Sequence, residues 1–85
     1  ISMRVYPNPV SRNGELTLRL DDNSSGRGTV HFYSTSGVLM KRDVIFKKTT
    51  HFSETYNISN FPAGAYIIRV QFEGMAPAVK KITKQ

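Results

Sequence analysis

The residues "AYIIRVQFE" set Tyr66, Ile68, Val70 and Phe72 against Ile67, Arg69, Gln71 and Glu73. A side-chain period of two belongs to a strand, because successive Cβ atoms point to opposite faces of a sheet. One face of this segment is wholly apolar, so it is expected to be a central strand. The same period governs "ELTLRL", with Leu16, Leu18 and Leu20 opposed to Glu15, Thr17 and Arg19, and "TVHFY", with Val30 and Phe32 inward. No helical period occurs along the chain. Apolar residues that recur only at every second position must be buried between sheets, which confines the fold to an all-β class.

Turn signals divide the remainder. "DDNSSGRG" breaks the first alternation with small polar residues and is expected to be an exposed loop. "STSG" turns the chain, with Gly37 at the positive φ that a Cβ resists, and joins strands three and four in a hairpin. "VLMKRDVIF" is apolar at both ends around Lys41, Arg42 and Asp43, which fits one long strand with a bulge or two short strands that change sheet. "HFSETYNI" places Phe52, Tyr56 and Ile58 on one face with Glu54 among them, so its strand belongs near an edge where the carboxylate reaches water. "SNFPAG" is a second loop. After "GMAP", the closing "AVKKITK" is short, basic and charged on both faces, and its pairing is expected to be among the least stable. Strands at about ten-residue spacing with turns between them predict an antiparallel immunoglobulin-like β-sandwich of about seven strands.

"YPNP" stands where a first strand would begin. Each proline lacks an N–H and drives the residue before it, Tyr6 or Asn8, toward extended conformations. A central strand is thereby excluded, and a stiff edge segment presenting Tyr6 and Asn8 is left. Such a segment protects a sheet edge, or it forms a surface that another protein reads.

At 85 residues the chain is read as one domain that buries roughly 60 to 65% of the surface its unfolded form exposes. It contains no cysteine, so neither disulfides nor thiolate metal sites support its core. No apolar run approaches the roughly 20 residues of a membrane-spanning helix. No initiator methionine or signal peptide precedes Ile1, as expected of a fragment of a longer chain. Twelve Lys and Arg against six Asp and Glu give a net charge of +6, which favours anionic partners. The cations are dispersed except for Lys80, Lys81 and Lys84, and no recognition helix or aromatic platform interleaved with arginines points to nucleic acid.

Catalysis finds little support. A nucleophilic triad would have to use His31 or His51, and both lie on the polar parity of their strands, where exposure is expected. Asp21, Asp22 and Asn23 fit a solvated turn better than a calcium site. Two opposed carboxylates in a cleft, as glycoside hydrolysis needs, have little room here. The sequons Asn23–Ser25 and Asn57–Ser59 are of a length that arises by chance. No cofactor is called for.

"VYPNPV" near the start, "SGVLMK" in the middle, "NFPAGAYIIRV" late and "VKKITK" at the end together resemble the C-terminal sorting domain of the type IX secretion system of Gram-negative bacteria. The signatures of that family are a PNP, a Gly-any-Tyr and a terminal basic strand with a Lys-Ile or Lys-Val pair. They fall on Pro7, Asn8 and Pro9, on Gly64 and Tyr66, and on Lys81, Ile82 and Lys84. The resemblance covers nearly the whole chain and implies a seven-strand immunoglobulin-like sandwich at the end of a larger secreted protein such as a protease or adhesin. It also implies that the domain directs its cargo through an outer-membrane translocon, with a shuttle protein and a cell-surface sortase as partners. The sortase would remove the domain, and the cargo would be joined to an anionic lipopolysaccharide. Gln85 departs from the pattern, since many members end on a basic or apolar residue.

Each signature also has a folding role available. Gly64 fits a turn, and Tyr66 fits a core aromatic whose hydroxyl reaches the backbone, as in the tyrosine corner of such sandwiches. Lys80, Lys81 and Lys84 are assigned to recognition, because lysines contribute little to a small core. The competing functions are a carbohydrate-binding or fibronectin-like adhesion module at the end of a secreted enzyme, and a sandwich that only caps its neighbour. The first lacks a row of coplanar exposed aromatics, with Tyr33 alone off the core parity. Open edge strands also allow a homodimer.

Overall fold

Alternation decides which side of each strand is dry, and the strands stack so that their apolar faces meet. The structure, a computed structural model, describes residues 2–85; Ile1 lies outside them. The strands are β1 (Met3–Tyr6), β2 (Glu15–Asp21), β3 (Gly26–Ser34), β4 (Leu39–Lys47), β5 (His51–Asn57), β6 (Gly64–Phe72) and β7 (Ala78–Lys84). They form two antiparallel sheets, β1-β2-β5 and β4-β3-β6-β7, packed against each other as an immunoglobulin-like β-sandwich. Leu16, Leu18 and Leu20 of one sheet face Val30, Phe32, Ile68, Val70 and Phe72 of the other, and all are closed to solvent. Phe32 meets Tyr56 and Phe61 edge-on, at centroid distances of 5.3 and 6.1 Å. No helix among the described residues is long and apolar enough to cross a membrane.

In the constant-type immunoglobulin arrangement the fourth strand joins the sheet of the first, second and fifth. Here β4 stays beside β3, and the turn explains it. Ser34 accepts from Gly37 at 3.0 Å and donates to Val38 at 2.9 Å, with Gly37 at φ +89°. So short a hairpin leaves no chain with which to cross to the other sheet. "VLMKRDVIF" is therefore one long strand with a bulge: Phe32 pairs with Lys41 but Tyr33 with Leu39, which leaves Met40 unmatched. β6 is central, between β3 and β7, and β5 is an edge strand with Glu54 exposed, both as expected.

Two expectations need correction. The polar loop is shorter and more ordered than its composition suggested: Gly26, Arg27 and Gly28 open β3, and Ser24 is buried. The cause is Lys47, whose fully buried Nζ donates to the carbonyl oxygens of Asp22 (2.8 Å), Ser24 (2.7 Å) and Thr49 (2.8 Å). Three donors meet three acceptors, which makes the burial of an ammonium group tolerable. His31 is half-buried rather than exposed, because neighbouring strands crowd its ring.

The acidic turn is held by the protein's own cations and hydroxyls. Asp21 accepts from Arg19 Nε at 2.8 Å, contacts His51 Nδ1 at 2.7 Å and lies 3.5 Å from Arg4. The Arg19 hydrogen bond first, and that of His51 second, hold its carboxyl well below the usual range. Asp22 is lowered to about 2, chiefly by the hydrogen bond from the Ser24 hydroxyl.

Candidate functional site

Residues 7–9, 64–66 and 81–84 are far apart in the chain, yet strand register brings them to one corner. Gly64 and Tyr66 open β6 and stand opposite Lys84 and Ile82 of β7. On the other edge of β7, Val10 forms an isolated parallel bridge with Lys84. Its N–H donates to Thr83 O at 2.7 Å, and its carbonyl accepts from the Gln85 N–H at 2.9 Å. The chain thus leaves β1 in one sheet, runs through Pro7–Asn8–Pro9 and ends against the terminal strand of the other.

The prolines explain why asparagine stands between them. Neither can donate a backbone hydrogen bond, so the segment cannot continue as an ordinary ladder alongside β7. The Asn8 side chain carries an amide with the donor and acceptor of a peptide group. Nδ2 donates to Lys81 O at 3.2 Å, and Oδ1 accepts from the Thr83 N–H at 3.1 Å. Both X–Pro bonds, Tyr6–Pro7 and Asn8–Pro9, are cis. Asn8 and Val10 together close the outer edge of β7 from Lys81 to Gln85.

The corner separates into an anchored interior and an exposed rim. Val10 and Ile82 are fully buried, and Tyr66 nearly so. The Tyr66 hydroxyl donates to the carbonyl of Pro62 four residues upstream, and its ring lies 5.0 Å from that of Phe61. A tyrosine near the start of the sixth strand that bonds back to the preceding corner is the arrangement of a tyrosine corner. Gly64 adopts φ +149° at the strand entrance and is exposed. Lys84 is only 6% exposed, its Nζ donating to Gln85 O at 3.2 Å. Pro7, Asn8, Pro9, Lys80 and Lys81 remain on the surface.

The geometry corrects part of the expectation for the terminal strand. β7 is charged on both faces, as expected, but the two faces differ: Lys80, Ile82 and Lys84 share the inward face, where Ile82 and Lys84 are buried and Lys80 is exposed, while Val79, Lys81 and Thr83 point outward. It is paired with β6 along its length and clasped on its free edge, so it is not the loosest strand by construction. The role of Val10 was missed. Its only sequence signal is an apolar residue directly after a segment that cannot itself make a ladder.

Comparison with curated protein sequences gives no match. Residues 4–85 match the family profile described as the secretion system C-terminal sorting domain, so every signature in the clasped corner lies within the matched region. The chain belongs to that family, the C-terminal sorting domains of type IX secretion, whose cargo passes through the periplasm to be secreted or displayed at the cell surface.

Proposed function

We propose that residues 1–85 form one sorting domain at the end of a larger secreted protein, which it directs through the type IX outer-membrane translocon with the help of a shuttle protein. A cell-surface sortase then recognises the domain and removes it. The domain is an address rather than an enzyme, and its cargo supplies any catalytic activity. The convergence of the three family signatures on one corner carries this reading. Exposed Pro7, Pro9, Lys80 and Lys81 form the rim that partners read, while Asn8, Gly64, Tyr66, Ile82 and Lys84 hold the rim in place. An adhesion or sugar-binding role draws no support from the aromatics: Tyr33 is half-buried and stacks on His31 at 5.8 Å instead of forming an open platform.

The test is export of a passenger. The chain is fused behind a fluorescent protein that carries an ordinary signal peptide and is expressed in a type IX host. Surface fluorescence is the expected result; periplasmic retention with the sorting domain shown to be folded would overturn the proposal.

A further inference from the structure

A sheet with one face in the core ordinarily turns a polar, charge-balanced face to water. The outer face of β4-β3-β6-β7 is different. Register sets Arg42, His31 and Arg69 side by side across β4, β3 and β6, with Val79 of β7 beyond Arg69. The next row is Leu39, Tyr33, Ile67 and Lys81, and toward the other end Phe46 lies beside Arg27. Phe46 is 61% exposed, Val79 58% and Leu39 49%.

Among the described residues, the cations of this face have no counter-ion within ion-pairing distance. Among the described residues, the side chains of Arg27, Arg42, Arg69 and Lys81 make no ion pair or hydrogen bond. Asp21 and Asp22 are engaged by Arg4, Arg19, His51 and Lys47, and Asp43 accepts from the Tyr56 hydroxyl inside the sandwich. Glu73 is the carboxylate bordering the face, at the rim of a groove of about 520 Å³ that Arg27, Thr29, Arg42 and Gln71 also line. His31 separates the two central guanidinium groups. Its Nδ1 is buried without a partner, and burial first, then Arg42 and Arg69, favour the neutral imidazole. A neutral ring spaces the arginines without adding a charge.

We propose that this face docks an acidic protein surface, whose carboxylates are received by Arg42 and Arg69 and whose apolar side chains rest on Leu39, Phe46 and Val79. The two arginines are two strand spacings apart, about 10 Å, which suits carboxylates fixed on a folded partner. A lipid surface is a poorer fit. Interfacial binding uses one continuous apolar face rimmed by cations, whereas here the cations are central and the apolar residues lie to either side. Four strands of up to nine residues offer roughly 30 by 15 Å, on the order of 450 Å², which places the contact in the weak, transient class. The proposal does not rest on the sorting reading, and its test measures binding rather than export.

The ¹⁵N-labelled chain is titrated with a synthetic acidic peptide rich in Glu and Leu, with the same peptide carrying Gln for Glu, and with phosphatidylglycerol vesicles. The acidic peptide should shift the amides of Thr29, His31, Arg42, Ile67 and Arg69, and the shifts should weaken as salt rises. Arg42→Gln with Arg69→Gln should lower affinity roughly five- to thirtyfold without changing the melting temperature, and Lys at both positions should restore most of it. Shifts scattered over every basic residue, equal binding of the Gln peptide, unchanged affinity in the double variant, or preference of the face for vesicles would each overturn the proposal.

Discussion

Replacing Asn8 with alanine removes the two hydrogen bonds by which a side chain stands in for a strand. The Thr83 N–H loses its acceptor at 3.1 Å, and Lys81 O loses its donor at 3.2 Å. Both bonds are exposed, so water replaces part of each, and their joint contribution is about 1–2 kcal/mol. The Val10 bonds at 2.7 and 2.9 Å remain, and Ile82 stays buried, so β7 should remain docked while the edge near Thr83 opens more often. At 1.4 kcal/mol per factor of ten, exchange of the Thr83 amide should accelerate roughly five- to thirtyfold. Native-state hydrogen exchange by NMR reads this directly, with β2 amides as the internal reference. Asn8→Asp keeps an acceptor for Thr83 but sets oxygen against oxygen at Lys81, so it should preserve more Thr83 protection than alanine does. Unchanged Thr83 protection in Asn8→Ala would refute the clasp and leave the backbone of Val10 as its only support.

Two further perturbations test the frame around the corner. Lys47→Met keeps the buried volume but leaves three carbonyls without their donor, and it should cost about 2–4 kcal/mol in chemical denaturation; a loss below 0.5 kcal/mol, typical of surface changes, would show that the lysine is dispensable. Acid should also destabilise the domain. The folded carboxyls of Asp21 and Asp22 lie below the unfolded value near 3.9, Asp22 at about 2, so their contribution is complete above about pH 4 and is lost as pH falls toward 2. Urea midpoints measured across that range should decline, and Asp22→Asn should flatten part of the decline; midpoints that hold or rise on acidification would contradict it.

Local pattern carried the strands, and long-range geometry carried the rest. The alternations at Leu16, Leu18 and Leu20 and at Tyr66, Ile68, Val70 and Phe72 could be read directly, because which face a side chain takes follows from its neighbours in sequence. The bond from Tyr66 to the backbone was also legible, since its partner, Pro62, is only four residues away. Lys47 was counted only among the cations dispersed along the chain, because its burial depends on carbonyls from residues 22, 24 and 49 that only the folded chain assembles. Lys84 was placed on the surface by its charge, whereas pairing with Gly64 on one side and Val10 on the other encloses it. His31 took the outer face its parity indicated, but its crowding comes from Arg42 and Arg69 on adjacent strands. Register information of this kind is absent from any single stretch of sequence.

The central claim is that the clasped corner has a buried part that folds and an exposed part that is read, and Lys80 and Lys81 separate the two. Both are exposed, whereas Ile82 and Lys84 beside them are buried. The measurement is surface fluorescence of the passenger fusion in a type IX host, comparing the parent chain with Lys80→Ala/Lys81→Ala and with Ile82→Ala, each paired with a melting curve. Ile82→Ala should lose about 2–5 kcal/mol and lose delivery through unfolding. The double lysine variant should melt like the parent and still leave the passenger in the periplasm. Full surface delivery by that variant would contradict the account and move recognition away from the rim of the terminal strand.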